Sequence, residues 1–272
     1  MDDFNGAGGL SDPLSVAVAA RDAQTLDLVA EALRLRRVML AFQPVVMAAD
    51  PTRIAFYEGL IRVVDDTGRV IPARDFIGAV EMRELGRLID CAALELGLAA
   101  LADEPSLRLS INMSARSIGY PRWKQILDQG LARDPTVGER LILEVTESSA
   151  MLMPDLVTVF MDDLQRRGIA FALDDFGAGY TAFRYFREFF FDVLKIDGQF
   201  IRGIASDPDN QALTRALVSI GQHFDMLTVA ESVESAADAD WLRGAGVDCL
   251  QGYFYGMPTV TPVWVQSKRR RA

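Results

Sequence analysis

The sequence predicts an α/β fold, a (β/α)8 barrel of TIM type, and three observations support that class. Eight short apolar runs, bounded by turn residues, are typical of buried strands. Amphipathic helical patterns follow most of these runs, and such alternation favours right-handed crossovers and a largely parallel sheet. The chain has 272 residues, which is a usual length for eight strand–helix units closed into a barrel.

The predicted strands share an apolar character that ends at a polar residue or a turn. They cover Val38–Val46, Ile54–Val63, Leu107–Met113, Leu141–Thr146, Ile169–Leu173, Val193–Ile196, Leu227–Ala230 and Cys249–Tyr255. After the second strand, Asp65–Gly68 indicates a hairpin-like turn or a loop, because Asp, Thr and Gly favour turn conformations.

The predicted helices share apolar residues at a spacing of three or four. They cover Asp22–Arg37 ahead of the first strand, Ala73–Leu101, Pro121–Leu131, Pro154–Gly168, a short aromatic segment after the fifth strand, Asn210–Phe224 and Ala236–Arg243. Pro154 suits the first turn of its helix, and Gly168 suits a carboxyl-terminal cap.

The pattern predicts one domain with short flanking segments. Residues 1–21 are expected to be a disordered N-terminal extension, since residues 1–12 are rich in Gly, Asp and Asn. Residues 22–262 are expected to form a single barrel domain with its lead-in helix, because no low-complexity linker divides them. Residues 263–272 are expected to be a basic tail, typical of a solvated chain end.

Composition argues against several classes of protein. Half of the residues are hydrophobic, yet no apolar run is long enough to cross a bilayer, and the first residues lack the pattern of a secretory signal. Cys91 and Cys249 have no metal-type spacing and fit a reducing cytoplasm. The net charge of −10 argues against a surface for polymeric nucleic acid. The single histidine, His223, excludes a zinc site built on several histidines.

Polar side chains recur where the predicted strands end, and barrel enzymes carry their catalytic groups at these positions. In chain order they are Glu58 with Arg62, Asn112, Glu144 with Glu147, Asp174 with Asp175, Lys195 with Asp197, Glu231 with Glu234, and Gln251. Any one of them could be a helix cap, a surface ion pair or a partner of the backbone. Their recurrence at seven successive strand ends favours a shared site at the mouth of the barrel.

The chemistry of this set indicates a magnesium or manganese site. Carboxylate and amide oxygens suit Mg²⁺ or Mn²⁺, and converging carboxylates without a cation would repel one another. Two divalent ions about 3.5–4 Å apart would neutralise them, and a carboxylate such as Asp174 could bridge the pair. The expected reaction is metal-assisted attack of water on a phosphodiester, with Lys195 placed to hold the water or a phosphate oxygen.

Short segments at the strand ends also occur in a specific order and spacing. They are Phe42–Val45, Tyr57–Arg62, Ser110–Arg116, Leu143–Ser148, Leu173–Tyr180, Leu194–Asp197, Ala230–Glu234 and Gln251–Tyr253. With these segments, residues 38–258 resemble the EAL-domain family of bacterial cyclic di-GMP phosphodiesterases.

The resemblance implies a barrel whose first strand runs antiparallel to the others. It implies hydrolysis of cyclic di-GMP to linear pGpG with two Mg²⁺ or Mn²⁺ ions per site, and inhibition by Ca²⁺. The implied ligands of one metal are Glu58, Asn112, Glu144 and Asp174. Those of the second metal are Asp174, Asp175 and Glu231.

The resemblance implies further roles around the metals. Lys195 would hold the nucleophilic water, and Glu231 could instead serve as the general base. Glu147 would anchor the loop after Asp175. Gln43 and Arg62 would contact guanine and phosphate of the substrate. Glu234 and Gln251 would position water or ligand. The family also implies a homodimer through the region after Asp175.

The chain departs from the family pattern at a few positions. Gly59 stands where alanine is usual and could loosen the strand beside Glu58, and Ser232 stands where glycine is usual. The segments Thr181–Phe183 and Phe189–Phe190 are also altered. None of these changes removes a charged group of the metal set, which favours an active phosphodiesterase. The alternatives are a non-catalytic cyclic di-GMP receptor or interaction module and, more weakly, a different Mg²⁺-dependent barrel enzyme acting through an enolate.

Overall fold

The computed structural model describes residues 13–177 and 189–265. Its sheet closes into the predicted barrel of eight strands, with helices around it. The strands are β1 (Val38–Met47), β2 (Ile54–Val64), β3 (Val70–Pro72), β4 (Leu109–Asn112), β5 (Leu141–Thr146), β6 (Ala170–Phe176), β7 (Val193–Ile196), β8 (Leu227–Ala230) and β9 (Cys249–Gln251). The short strand β3, which was not predicted, pairs only with the end of β2 and follows the turn at Asp65–Gly68.

The first strand runs antiparallel to both of its neighbours, β2 and β9. The other barrel strands pair in parallel, β2 with β4 and then each strand with the next up to β9. This confirms the antiparallel first strand. A short turn can join β1 to β2 because antiparallel strands need no crossover. The register places Gln43 opposite Glu58 and Val45 opposite Gln251. Three polar residues from three strands therefore meet at the seam of the barrel.

The strand β6 carries an irregularity at its carboxyl end. Leu173 pairs with Leu194 and Phe176 pairs with Ile196, so Asp174 and Asp175 together oppose the single residue Lys195. Asp175 has a φ of 54°, a left-handed conformation that is uncommon for a residue other than glycine. Such a bulge redirects side chains that would otherwise point to opposite faces of a strand. Both carboxylates can therefore reach one site.

The helices occupy the connections between the strands, apart from α1, which precedes β1. They are α1 (Pro13–Arg34), α2 (Ile77–Val80), α3 (Glu84–Asp103), α4 (Pro121–Arg133), α5 (Glu147–Leu152), α6 (Pro154–Gln165), α7 (Gly198–Ile201), α8 (Pro208–His223) and α9 (Ala236–Gly244). As predicted, Pro154 begins α6, and Gly168 has a positive φ of 87° shortly after that helix ends. The short helices α5 and α7 were not predicted.

Three expectations about element boundaries were wrong. Residues 13–21 belong to α1 and not to a disordered extension, because Ala17, Ala19 and Ala20 are strong helix formers. The helix predicted at Ala73–Leu101 is interrupted, since Phe76 and Arg83 leave helical dihedrals. The last strand ends at Gln251 because the chain turns after it, and Tyr255 N–H donates to Gly252 O. Residues 1–12, the aromatic segment up to Glu188 and residues 266–272 lie outside the described residues.

The turn that follows β4 is tied to α3 by a buried carboxyl group. Oδ2 of Asp90 accepts hydrogen bonds from Ser114 N–H at 3.0 Å and from Ser117 Oγ at 2.5 Å. Burial raises the pKa of Asp90 to about 7, although both hydrogen bonds act in the opposite direction. The contact fixes the segment that directly follows Asn112.

None of the helices within residues 13–177 and 189–265 combines the length and the apolar character needed to cross a bilayer.

Candidate active site

A cleft of about 280 Å³ lies where the carboxyl ends of the barrel strands meet. Most of the described residues that line it are polar or charged. They are Gln43, Glu58, Leu60, Asp174, Lys195, Arg202, Glu231, Ser232, Glu234, Gln251, Gly252 and Tyr253. Barrel closure therefore brings together residues from the beginning, the middle and the end of the chain.

Lys195 lies at the centre of the carboxylates, and its side chain is 1% exposed. Its Nζ donates to Glu144 Oε2 at 2.7 Å and lies 2.7 Å from Glu231 Oε1. Asp174 Oδ1 is 3.0 Å and Glu58 Oε2 is 3.6 Å from the same nitrogen. One ammonium group thus faces acids in, or directly after, four different strands.

The protonation of these groups reflects their mutual burial. Burial acts to lower the pKa of Lys195, but the surrounding carboxylates outweigh it and hold the pKa well above its usual value. Burial and the charges of Glu58 and Asp174 raise the pKa of Glu144 to about 8, although Lys195 opposes them. Burial first, and then the charges of Asp174 and Glu58, raise the pKa of Glu231 well above its usual value, although Lys195 again opposes them. The negative charge exceeds what one lysine neutralises.

A chain of hydrogen bonds fixes the carboxylate of Glu58. Asn112 Nδ2 donates to Oε1 at 2.8 Å, and Gln251 Nε2 donates to Oε2 at 2.6 Å. Gln251 Nε2 also lies 3.2 Å from Gln43 Oε1, while Gln43 Nε2 donates to Gly256 O at 3.1 Å. Both oxygens of Glu58 are therefore oriented by amides from β4 and β9.

A second group of carboxylates lies beside the first. Asp174, Asp175 and Glu231 each offer one oxygen, and these oxygens all lie within 4.8 Å of one another. Burial, the charge of Asp174 and the neighbouring Asp197 raise the pKa of Asp175 to about 6. The bulge in β6 makes this group possible because it turns two consecutive acids toward the same point.

The residues present fit hard divalent cations. Glu144 Oε1 is buried without a hydrogen-bond partner among the described residues, and Asp174 Oδ1 has the ion pair with Lys195 but no hydrogen bond. The described lining of the cleft contains carboxylates and amides but neither imidazole nor thiolate. Buried oxygens in excess of one ammonium group are the ligand type that Mg²⁺ and Mn²⁺ prefer.

Glu147 begins α5 and is buried. Its Oε2 accepts a hydrogen bond from Gly177 N–H at 3.2 Å, which ties α5 to the backbone directly after Asp175 and Phe176. The altered segment Thr181–Phe183 lies outside the described residues.

The remaining predicted residues are Arg62 and Glu234. Arg62 Nη1 donates to the backbone oxygens of Leu60 and Ile61. Burial lowers the pKa of Arg62; the charge of Glu58 opposes this shift, and the charge of Arg74 adds to it. Arg62 is not among the described residues that line the cleft. Glu234 does line it, and 56% of its side chain is exposed.

Five residues that line the cleft were not predicted as site residues: Leu60, Gly252, Tyr253, Arg202 and Ser232. The last two form a hydrogen bond with each other. Arg202 follows α7, a helix of four residues that was itself not predicted. Ser232 was noted only as a departure from the family pattern. The available signal was their position, since each lies a few residues beyond a predicted strand end.

Gly59 does not loosen β2, contrary to the expectation. A Cβ added at this position would lie 2.6 Å from Cδ1 of Ile111 and 3.3 Å from Cδ1 of Leu40. The space that an alanine methyl group would need is therefore already filled from β4 and β1.

The fold and the cleft together define a class: a TIM-type barrel with one antiparallel strand and an acidic site suited to divalent cations at the carboxyl ends of its strands. The chain belongs to the EAL domain family, whose sequence profile matches residues 27–258.

Curated relatives carry this domain within longer proteins. MucR of Pseudomonas aeruginosa, a bifunctional diguanylate cyclase/cyclic di-GMP phosphodiesterase, is 30% identical over 247 residues, which are 89% of this chain and 36% of that protein. The cyclic di-GMP phosphodiesterase PdeF of Escherichia coli is 30% identical over 233 residues, which are 84% of this chain and 31% of that protein. The chain spans about a third of the length of these relatives.

Solved structures share the fold. The PaMucR phosphodiesterase in complex with c-di-GMP matches with a TM-score of 0.75 at 29% identity, covering 87% of this chain and 97% of that chain. The FimX EAL domain from Pseudomonas aeruginosa, bound to c-di-GMP, matches with a TM-score of 0.79 at 23% identity, covering 87% of this chain and 96% of that chain. The likeness to FimX concerns the fold alone.

Proposed function

We propose that this chain hydrolyses cyclic di-GMP to linear pGpG with two Mg²⁺ or Mn²⁺ ions. The observation that carries the proposal is the convergence of Glu58, Glu144, Asp174 and Glu231 on Lys195, with Asp175 beside them. The family membership supplies the substrate class, because two relatives of similar identity are cyclic di-GMP phosphodiesterases.

The carboxylates divide into two sets of metal ligands. Glu58, Asn112, Glu144 and Asp174 would hold one ion, and Asp174, Asp175 and Glu231 would hold the other. When bound, the ions supply neutralisation of the carboxylates and a lower pKa for the attacking water. The oxygen-only donor set and the excess of buried negative charge support this assignment.

The other residues of the site act on substrate and protons. Lys195 donates hydrogen bonds to the attacking water or to a non-bridging phosphate oxygen, which stabilises charge that develops in the transition state. Glu231 is a ligand of the second ion; in its alternative role it would instead accept the proton that the water releases. Gln43 and Arg62 hold guanine and phosphate, Gln251 keeps Glu58 oriented, and Glu234 positions ligand at the rim. Glu147 holds the backbone of Gly177, so that the acids of β6 stay in place.

The test is turnover by the purified chain with Mg²⁺ or Mn²⁺, with pGpG identified by chromatography. Glu58→Ala should abolish turnover because it removes a ligand that two amides orient. Glu139→Ala, an exposed acid ahead of β5 at the opposite end of the barrel, is the matched control and should retain it. Ca²⁺ in place of Mg²⁺ should inhibit. A folded wild-type chain that turns over no substrate with either metal would refute the proposal, and binding without hydrolysis would assign the receptor function instead.

We also propose a homodimer that uses the surface next to β6, in a reducing cytoplasm. Large apolar side chains are exposed on α5 and α6 and beyond them: Leu152, Leu156, Val159 and Phe190. Gln165 Nε2 donates to Phe190 O at 2.6 Å, which joins α6 to the segment that leads out of the region after Asp175. Large apolar side chains exposed on adjacent elements are typical of a protein interface.

A further inference from the structure

Ser232 lies between Glu231 and Glu234, directly after β8, and adopts a conformation that glycine normally takes. Its φ is 55°, in the left-handed region that side chains rarely occupy. The residue lines the cleft, and its Oγ accepts a hydrogen bond from Arg202 Nη2 at 3.0 Å. A side chain is thus present at a strained position, and it contacts an arginine.

Gly198 provides the space that this arrangement needs. A Cβ on Gly198 would lie 2.7 Å from Ser232 Cβ and 3.1 Å from Arg202 Nη2. Any side chain at position 198 would therefore displace the serine, the guanidinium group or both. Gly198 begins α7, and Arg202 follows its last residue, with Arg202 N–H bonded to Gly198 O at 3.0 Å. The helix and the serine together fix where the arginine stands.

Arg202 differs from Lys195, the other cation in the described lining of the cleft, in its exposure and in its ion pairs. Lys195 is buried and faces four carboxylates, whereas 59% of the Arg202 side chain is exposed. Its Nε lies 3.9 Å from Glu234 Oε1, and both side chains are more than half exposed, so this pair contributes little. A guanidinium group has five N–H donors, and the contacts to Ser232 and Glu234 engage only some of them.

We propose that Arg202 binds a phosphoryl oxygen of the cyclic dinucleotide and that Ser232 is the residue that positions it, an inference that rests on the proposed function. The ligand carries two phosphodiester groups. In the described lining of the cleft, the carboxylates outnumber the two cationic side chains, Lys195 and Arg202. A planar, charged donor at the rim suits an anionic oxygen better than a hydrated ammonium does. Arg202 thereby supplies affinity for a phosphate oxygen at the rim of the cleft, in addition to the contact proposed for Arg62.

The first experiment measures the affinity of the full chain for cyclic di-GMP by calorimetry in Ca²⁺ and its KM and kcat in Mn²⁺. Arg202→Ala should weaken binding about tenfold, because a hydrogen bond between charged groups is lost. KM should rise by about the same factor with kcat little changed, since the contact exists before and during reaction. Arg202→Lys should lower the affinity about threefold, because lysine keeps the positive charge but not the planar, two-pronged donor geometry of the guanidinium group. Arg53→Ala, in the turn at the opposite end of the barrel, is the matched control and should change neither quantity.

The second experiment separates positioning from folding. Ser232→Gly removes the hydroxyl group and relieves the left-handed conformation, so it should raise KM about threefold without lowering the thermal midpoint. A merely structural role for Ser232 would change stability and affinity in the same direction.

The outcomes distinguish this inference from the proposed function. If the wild-type chain hydrolyses cyclic di-GMP and the Arg202 and Ser232 variants match Arg53→Ala, the inference is overturned and the function stands. If the chain binds without hydrolysis, the function is overturned, and the dissociation constants of the same variants still decide the inference. A wild-type chain that neither binds nor hydrolyses the dinucleotide overturns both.

Discussion

Replacing Gly59 by alanine is expected to destabilise the protein, although alanine is usual at this position in the family. The added Cβ would lie 2.6 Å from Ile111 Cδ1, well inside the separation of about 3.5–4.0 Å at which carbon atoms attract. Ile111 Cδ1 fills the space beside a second glycine as well, since a Cβ on Gly97 in α3 would lie 2.9 Å from it. The isoleucine therefore packs between two glycines, and a methyl group on either one collides with it.

The size of the effect follows from two opposing contributions. Overpacking a core by a methyl group costs about 1–3 kcal/mol. Alanine also lowers the conformational entropy of the unfolded chain, which offsets about 0.5–1 kcal/mol of that cost. We expect a net loss of about 1–2 kcal/mol in the free energy of unfolding. Ile111→Val removes Cδ1 and should cost about 0.5–1.5 kcal/mol by itself. In the double variant the alanine methyl group fills the space that Cδ1 leaves, so the two losses should not add.

The assay is urea unfolding of wild type, both single variants and the double variant at one fixed metal concentration, followed by circular dichroism. Gly78→Ala is the matched control, since a Cβ on Gly78 in α2 would meet nothing within 4 Å, and it should stabilise the helix by up to about 1 kcal/mol. A Gly59→Ala protein as stable as wild type, or losses that add in the double variant, would refute the packing explanation.

Three further predictions concern charge, pH and assembly. Lys195→Met should lower the free energy of unfolding by about 3–5 kcal/mol in EDTA, because it leaves buried carboxylates without their cation, and Mn²⁺ should recover part of that loss in thermal melts. Burial in the folded protein raises the pKa of Asp90 from 3.8 to about 7. The contribution of the protonated Asp90 to stability is therefore complete below pH 3.8 and is lost as the pH rises through about 7. Asp90→Asn should remove this pH dependence from urea unfolding between pH 3.8 and about 7. Val159→Asp places a charge on the exposed apolar face of α6 and should convert the expected dimer to a monomer in sedimentation velocity, whereas Asp163→Ala on the same helix should not.

Each of these predictions has an outcome that contradicts it. An equal loss of stability in EDTA and in Mn²⁺ would show that Lys195 and the divalent ions do not neutralise the same carboxylates. A parallel pH dependence in wild type and Asp90→Asn would place the titrating group elsewhere. A Val159→Asp protein that sediments as the wild-type dimer would exclude α6 from the interface.

The sequence predicted the barrel strands well because each buried strand is a short apolar run bounded by turn residues. It predicted the helices less accurately. The interruption at Phe76 and Arg83 arises from backbone dihedrals that no periodicity reports, and α1 begins early because alanines promote a helix without an obvious apolar stripe.

The membership of the site was predictable, but its geometry was not. Strand ends identify Glu58, Asp174 and Lys195 as neighbours once a barrel is assumed. The sequence did not reveal that Lys195 would face four acids at once, since that depends on the bulge in β6 and on the seam between β1 and β9. Arg202 was missed because it follows a four-residue helix with no pattern of its own.

The seam of the barrel has a consequence for the order in which the molecule is completed. β1 can pair with β2 as soon as both are synthesised, but its other edge can pair only after β9 has been synthesised. Gln251, in β9, is separated from Gln43 by 208 residues and from Glu58 by 193 residues along the chain. Contacts of such sequence separation form late, because loop closure must precede them. A nascent chain that has not yet released Cys249 from the ribosome lacks both the closing strand and the amide that orients Glu58. The acidic cleft therefore cannot be completed before β9 has been synthesised.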